Sequence, residues 1–149
     1  GQDLTGLSCL DLFAGSGALG FEAASRGAER VVLVEKAPRV LAALRQNAER
    51  LGADPARLEI RAGDALQYAA AARERFDLVF VDAPFCQGWM GRLAPALGGL
   101  LKPDAALYLE AEYEWAASGD PFPGWCVVRH GKAGEVHFHL LRREEKHVE

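Results

Sequence analysis

Leu7-Ser8-Cys9-Leu10-Asp11-Leu12-Phe13-Ala14-Gly15-Ser16-Gly17-Ala18-Leu19-Gly20 decides the fold of this chain. Leu7 to Phe13 is an apolar run of strand length, and it breaks at Ala14-Gly15-Ser16-Gly17. A helix-like stretch continues as far as Arg26, with Gly27 well placed to end it. Gly15, Gly17 and Gly20 have the G-x-G-x-x-G spacing, after a strand and before a helix. Glycines there permit a tight turn and let a ligand approach backbone N–H groups at a helix N-terminus. Such turns also occur as plain structural turns, so the weight of the motif rests on the pattern of the chain beyond Gly27.

That pattern is alternation. Val31-Val32-Leu33-Val34 is a continuous β-branched and aliphatic run, the pattern of a strand buried on both faces. Pro38 suits a first helical turn, and Leu41, Leu44, Ala48 and Leu51 keep a helical period until Gly52. Leu58-Glu59-Ile60 reads as a short strand, Ala65 to Arg73 as a helix, and Phe76 to Val81 as a buried strand. Leu93, Ala96, Leu97, Leu100 and Leu101 mark a fourth helix around Pro95, and Ala105 to Leu109 a fifth strand. Repeated strand–helix units predict a doubly covered, mostly parallel sheet in an α/β fold. The end breaks the rhythm: Trp125 to His130 and Glu135 to Leu141 are strand-like and separated only by Gly131-Lys132-Ala133-Gly134. A connection that short joins antiparallel strands. Tyr113 to Gly124, with Pro121 and Pro123, reads as a loop or a frayed helix.

The chain has 149 residues, half of them hydrophobic and 26% charged, which is the balance of one ordinary globular domain over residues 1–149. No apolar stretch approaches the roughly 18 residues of a membrane span. The polar start, Gly1-Gln2-Asp3, is not a signal peptide. Cys9, Cys86 and Cys126 are odd in number and far apart, so a reducing, cytoplasmic setting is expected, with no disulfide framework and no zinc site. The formal net charge is -4, whereas a free-standing nucleic-acid binder is usually basic. Met90 is the only methionine, which reads as a fragment of a longer chain.

Three acidic positions sit where strands end. Glu35 closes the second strand twenty positions after Gly15, the spacing at which a carboxylate accepts hydrogen bonds from ribose hydroxyls. Its bland alternative is a solvated strand-end carboxylate paired with Lys36. Asp64, in Gly63-Asp64-Ala65, is either a ligand-side residue or the N-cap of the next helix, and both roles are compatible. Asp82-Ala83-Pro84-Phe85 ends the fourth strand, on the sheet edge that carries the glycine turn. A carboxylate, a stiffened turn and an aromatic face suit gripping a planar base and accepting hydrogen bonds from its amine. A polar turn with a core phenylalanine is the alternative.

Leu10 to Gly20, together with Glu22-Ala23 and Ser25-Arg26-Gly27-Ala28, resembles the RsmD family of bacterial methyltransferases. Val34-Glu35-Lys36, Phe76 to Asp82, Leu109-Glu110 and Ala133-Gly134 extend the likeness over essentially the whole chain. The resemblance implies a Rossmann-like methyltransferase fold with seven strands, the last one antiparallel. It implies S-adenosylmethionine as cofactor and the exocyclic N2 amine of a guanine in 16S ribosomal RNA, within the small subunit, as methyl acceptor. The protein is then expected to act as a monomer away from any membrane. Asp11 and the Ala14, Gly15, Ser16 and Gly17 loop would hold the methionine portion. Glu35 and the adjoining Lys36 would serve the ribose, while Asp64 and Ala65 would flank the adenine. Asp82, Ala83, Pro84 and Phe85 take the place of the family's D-P-P-[FY] motif, which holds the target base. Ala83 replaces its first proline, and Pro84 still biases Ala83 toward extended geometry. Family members carry a basic, RNA-gripping segment before the first strand. An acidic chain without one is expected to bind RNA poorly.

Rival readings remain in view. Asp82-Ala83-Pro84 is also similar to the D-A-P-C motif of RNA cytosine-C5 methyltransferases, but Phe85 takes the cysteine place and Cys86 comes one residue late. A nicotinamide-dependent dehydrogenase would explain the glycines but not Asp82 to Phe85. A degenerate module that binds S-adenosylmethionine without catalysis is the non-enzymatic alternative. His137 and His139 share a strand face without a third ligand, so they read as surface or sheet-packing residues and no metal is expected. Cys9 and Cys126 are expected to fill the core.

Overall fold

The computed structural model describes residues 3–82, 89–111, 125–133 and 136–143. In chain order the elements are β1 (Ser8–Asp11), α1 (Ala18–Ser25), β2 (Arg30–Glu35), α2 (Pro38–Arg50), β3 (Leu58–Ala62) and α3 (Ala65–Ala71). Then come β4 (Phe76–Val81), α4 (Trp89–Leu100), β5 (Leu101–Ala111), β6 (Trp125–Ala133) and β7 (Val136–Arg143). The expected segment from Tyr113 to Gly124 lies outside the described residues.

The strands form one seven-stranded sheet in the order β3-β2-β1-β4-β5-β7-β6. β1 pairs in parallel with both β2 and β4, β3 with β2, and β5 with β4. β7 runs antiparallel to both β5 and β6, as the short terminal connection requires. The winding therefore reverses between β1 and β4. In open α/β sheets that reversal opens a crevice beyond the carboxyl ends of the strands, where ligands bind.

Both faces of the central strands are buried, which is why their sequences read as unbroken apolar runs. Successive residues of a strand point to opposite faces. Cys9, Val31, Leu33, Leu58 and Phe80 thus pack with Ala23 of α1 and Leu44 of α2. Leu10, Val32, Val34, Val79, Leu107 and Leu109 pack on the other face with Ala65 and Ala69 of α3 and Leu93 and Leu97 of α4. A bidentate Arg30–Glu74 pair, at 2.6 and 3.0 Å, clips the start of β2 to the segment before β4.

Three expectations need correction. Leu101, expected in the fourth helix, opens β5 instead, and α4 runs from Trp89 to Leu100 with Pro95 in its interior. Leu93, Leu97 and Leu100 are all buried, and their packing outweighs the hydrogen bond that Pro95 cannot donate. β5 begins at Leu101, four residues early, because pairing with β4 jumps from Phe76–Leu101 to Leu78–Ala106. Pro103, with no N–H, lies in the part that the ladder skips. Cys126 is exposed, since β6 is the sheet edge, whereas Cys9 is buried.

Candidate functional site

The loop after β1 is built on two glycines in left-handed geometry, Gly15 with φ 55° and Gly17 with φ 83°. Gly17 is the N-cap of α1, and its N–H closes the turn onto the Ala14 carbonyl at 2.8 Å. A Cβ at Gly17 would lie 2.5 Å from both Leu44 Cδ1 and Phe21 Cε2, so packing as well as φ demands glycine. Gly20 is equally constrained, because a Cβ there would run into Leu33 Cδ2. Gly15 differs: nothing lies within 4 Å of where its Cβ would be. Two of the three motif glycines are thus fixed by the fold, and one faces open space.

Glu35 holds this loop in place. Its Oε1 accepts from the Gly15 N–H at 3.0 Å. Its Oε2 accepts from the backbone N–H groups of Lys36 at 3.0 Å and Ala37 at 2.9 Å. One carboxylate therefore joins the glycine loop to the turn between β2 and α2. The Ala14 N–H donates to the Val34 carbonyl at 3.0 Å and reinforces that link. Ser16 and Lys36 are exposed beside it, and Ala14 is buried.

Asp11, the last residue of β1, is only 2% exposed. Its Oδ1 accepts from the Phe13 N–H at 3.1 Å. Burial pushes its carboxyl up to about 7; the Phe13 N–H opposes this, and the charges of Asp82, Glu110 and Glu35 add to it. The parallel pairing of β2, β1, β4 and β5 brings their four strand-end carboxylates to one edge of the sheet. Asp82 is exposed at the end of β4, and Glu110 is half-buried on β5. Desolvation raises the Asp82 carboxyl, and a hydrogen bond from Glu110 partly offsets that rise. Glu110 is raised by its own desolvation and by the Asp82 charge.

Asp64 caps α3, accepting the Gln67 N–H at 3.1 Å, and Ala65 is buried beneath it. The capping alternative is therefore realised, and its Oδ1 side remains for a ligand. A cleft of about 490 Å³ runs beside α3, walled by Arg61, Gly63, Asp64, Gln67, Tyr68 and Glu74 among others. Of the expected site residues only Asp64 is on its wall, so this cleft is not the crevice of the carboxylates. Ala83, Pro84 and Phe85 lie outside the described residues, as does Cys86. Cys9 is held up to about 11 by burial and the Asp77 charge, so it is no nucleophile. His139 is buried and stacks on His130 with ring centroids 5.0 Å apart, a sheet-packing role.

Sequence reasoning noted Glu110 only as a position of family likeness and missed Tyr108. The available signal was parity. Asp82 and Glu110 each come directly after the last buried apolar residue of a strand, Val81 and Leu109, and those two residues pair in register.

Comparison with known proteins identifies relatives of this chain. The model of a family described as Conserved hypothetical protein 95 matches residues 1–142. The chain is 37% identical over 138 residues to ribosomal RNA small subunit methyltransferase D of Escherichia coli strain K12, covering 91% of this chain and 68% of that relative. The solved structure of the methyltransferase yhhF from Escherichia coli superposes with a TM-score of 0.83 at 33% identity, over 96% of this chain and 80% of that one. An RNA methyltransferase from Salinibacter ruber, solved with S-adenosyl-L-homocysteine, shares the fold at a TM-score of 0.72 and 21% identity, over 97% and 86% of the two chains.

Proposed function

The chain belongs to the RsmD family, and on that premise we propose that it methylates the exocyclic N2 amine of a guanine in 16S ribosomal RNA. The observation that carries this reading is the position of Asp82. It stands at the carboxyl end of β4, across the winding reversal from the glycine loop and coupled to Asp11 on β1. That position supports a reading in which a methyl donor in the crevice would meet an acceptor amine held on Asp82.

S-adenosylmethionine is the cofactor, and the residues present fit it. Its amino-acid ammonium and sulfonium are cationic, and the Asp11 and Glu35 carboxyl groups stand beside the glycine loop at this edge. The space over Gly15 is open to a ligand that lies against the loop backbone. Asp11, Ala14, Gly15, Ser16 and Gly17 would hold the methionine portion, Glu35 and Lys36 the ribose, and Asp64 and Ala65 the adenine. When bound, it supplies an electrophilic methyl group.

The chain's own residues orient the acceptor. The guanine, flipped from its RNA context, stacks on Phe85. Its amine donates hydrogen bonds to the Asp82 carboxylate and to a backbone carbonyl at Ala83 or Pro84, which orients the nitrogen lone pair toward the bound methyl donor. Asp82 accepts the one proton that the amine gives up and passes it to water, while the bound cofactor would supply the methyl group and depart as its thioether product. Proximity and orientation are the main catalytic terms, and no covalent enzyme intermediate is needed. The substrate is the RNA within the small ribosomal subunit, and the protein acts as a cytoplasmic monomer. Among the described residues no helix is long and apolar enough to cross a membrane.

Calorimetric titration with S-adenosylmethionine, with NAD in parallel, tests the cofactor. Saturable binding of the first alone is expected. Binding of NAD alone would overturn the reading in favour of a dehydrogenase-type site, and binding without turnover on unmodified subunits would favour a non-catalytic module.

A further inference from the structure

β4 and β5 pair in parallel with Phe80 opposite Tyr108 and Val81 opposite Leu109, so Asp82 and Glu110 are the next rung. Residues two apart on a strand share a face. Phe80, Asp82, Tyr108 and Glu110 therefore form a two-rung ladder on one face of the sheet. The inner rung is an edge-to-face contact, with the Phe80 and Tyr108 ring centroids 5.7 Å apart and the rings at 71°. The Tyr108 hydroxyl donates to Glu110 Oε1 at 3.3 Å. Glu110 and Asp82, side by side at the ends of β5 and β4, are close enough for their carboxyl groups to share a hydrogen bond.

A hydrogen bond between two carboxyl groups needs one proton, because ionised carboxylates only accept. Asp82 is exposed and Glu110 half-buried, so water favours the negative charge on Asp82 and the proton stays on Glu110. The ring contact fixes Tyr108, its hydroxyl fixes Glu110, and Glu110 fixes the outer carboxylate. Resting on the methyl-transfer reading above, the geometry points to Glu110 as a positioning residue that donates to Asp82 and holds its carboxylate where the acceptor amine is received.

Among the described residues, three strands bring groups toward this pair. Asp11 approaches from β1. On β7 the register partner of Glu110 is Phe138, while His137 and His139 pair with Ala111 and Leu109, one residue off on the pleat. Among the described residues no lysine or arginine forms a salt bridge with Asp82 or Glu110.

Two variants separate positioning from bulk structure. Glu110→Gln keeps a neutral donor toward Asp82, and Glu110→Ala removes it. Methyl transfer to unmodified small subunits is measured from mildly acid to mildly alkaline pH, and S-adenosylmethionine binding is titrated alongside. Loss of a hydrogen bond to a charged group is worth about 1.5–3 kcal/mol, or roughly 10–100-fold in rate. Glu110→Ala is expected to lose kcat by that factor, to keep cofactor affinity within about twofold, and to move the acid limb of the profile to higher pH. Glu110→Gln is expected to restore most of kcat and the original limb. Wild-type kcat and profile in Glu110→Ala would overturn the inference, as would a Glu110→Gln variant as impaired as Glu110→Ala. A wild-type chain without turnover would overturn the functional reading instead. Infrared titration of the ligand-free protein in an Asp11→Asn background, which removes the other raised carboxyl, then decides on the pair: a protonated-carboxyl band that persists above the ordinary carboxylate range and is lost in Glu110→Gln is expected, and its absence overturns the ladder.

Discussion

Asp11 stands at a cost to the ligand-free fold, and that cost is measurable through Asp11→Asn. The carboxyl is 2% exposed, and burial raises it from an ordinary 3.8 to about 7. An acid raised on folding binds more protons in the folded than in the unfolded chain between those two values, so stability falls as pH rises from about 4 to about 7. At about 1.4 kcal/mol per tenfold in the proton equilibrium, the full fall is about 4 kcal/mol. Asn is nearly isosteric, keeps an acceptor for the Phe13 N–H at 3.1 Å, and has no charge to desolvate. Asp11→Asn should therefore match the wild type near pH 4 and exceed it by about 2–4 kcal/mol near pH 8. Urea unfolding over a pH series reads this as a growing gap in midpoint at constant slope. The same variant should bind S-adenosylmethionine weakly and independently of pH, whereas wild-type affinity should rise as pH passes through about 7. A stability gap that does not vary with pH, or a variant less stable than wild type at alkaline pH, would refute the reasoning.

The glycine loop gives a paired test. Gly17→Ala meets Leu44 and Phe21 at 2.5 Å with φ 83° and should cost about 2 kcal/mol or more in urea unfolding. Gly15→Ala, with open space at φ 55°, should cost only about 1 kcal/mol yet weaken cofactor binding at least tenfold by calorimetry; intact affinity would remove Gly15 from the site. Glu35→Gln has one acceptor oxygen where the carboxylate uses two, so either the Gly15 or the Lys36 and Ala37 N–H groups lose their partner. A loss of about 1–3 kcal/mol in stability should accompany a fall in cofactor affinity, and a silent Glu35→Gln would break the link between loop and turn.

Much of this was legible because the periodic signals agree with the packing. Val31 to Val34 is apolar throughout, and Phe76 to Val81 apolar but for Asp77, since helices cover both faces of their strands; the spacer from Gly131 to Gly134 is too short for anything but an antiparallel pair, although β6 itself runs on through Ala133. The misjudged segments are those where tertiary contacts override local rules. Pro95 sits inside a helix held by buried leucines, and Pro103 falls in a stretch that the β4–β5 ladder skips. Cys126 is apolar enough for a core yet lies on the edge strand, and strand order is set by contacts distant in sequence. The carboxylates of Glu35 and Asp82 were readable from strand ends and spacing, and that of Asp11 only from the family resemblance. The Asp82–Glu110 bond was not, because it needs the register between two strands about thirty residues apart in the chain.

Methyl transfer from labelled S-adenosylmethionine to small ribosomal subunits lacking the modification, with wild type and Asp82→Ala side by side, tests the central claim most directly. Label on guanine N2 with the wild type, abolished in Asp82→Ala while cofactor binding stays nearly intact, is the expected result. Substantial transfer by Asp82→Ala, or label on another base or on protein, would contradict it.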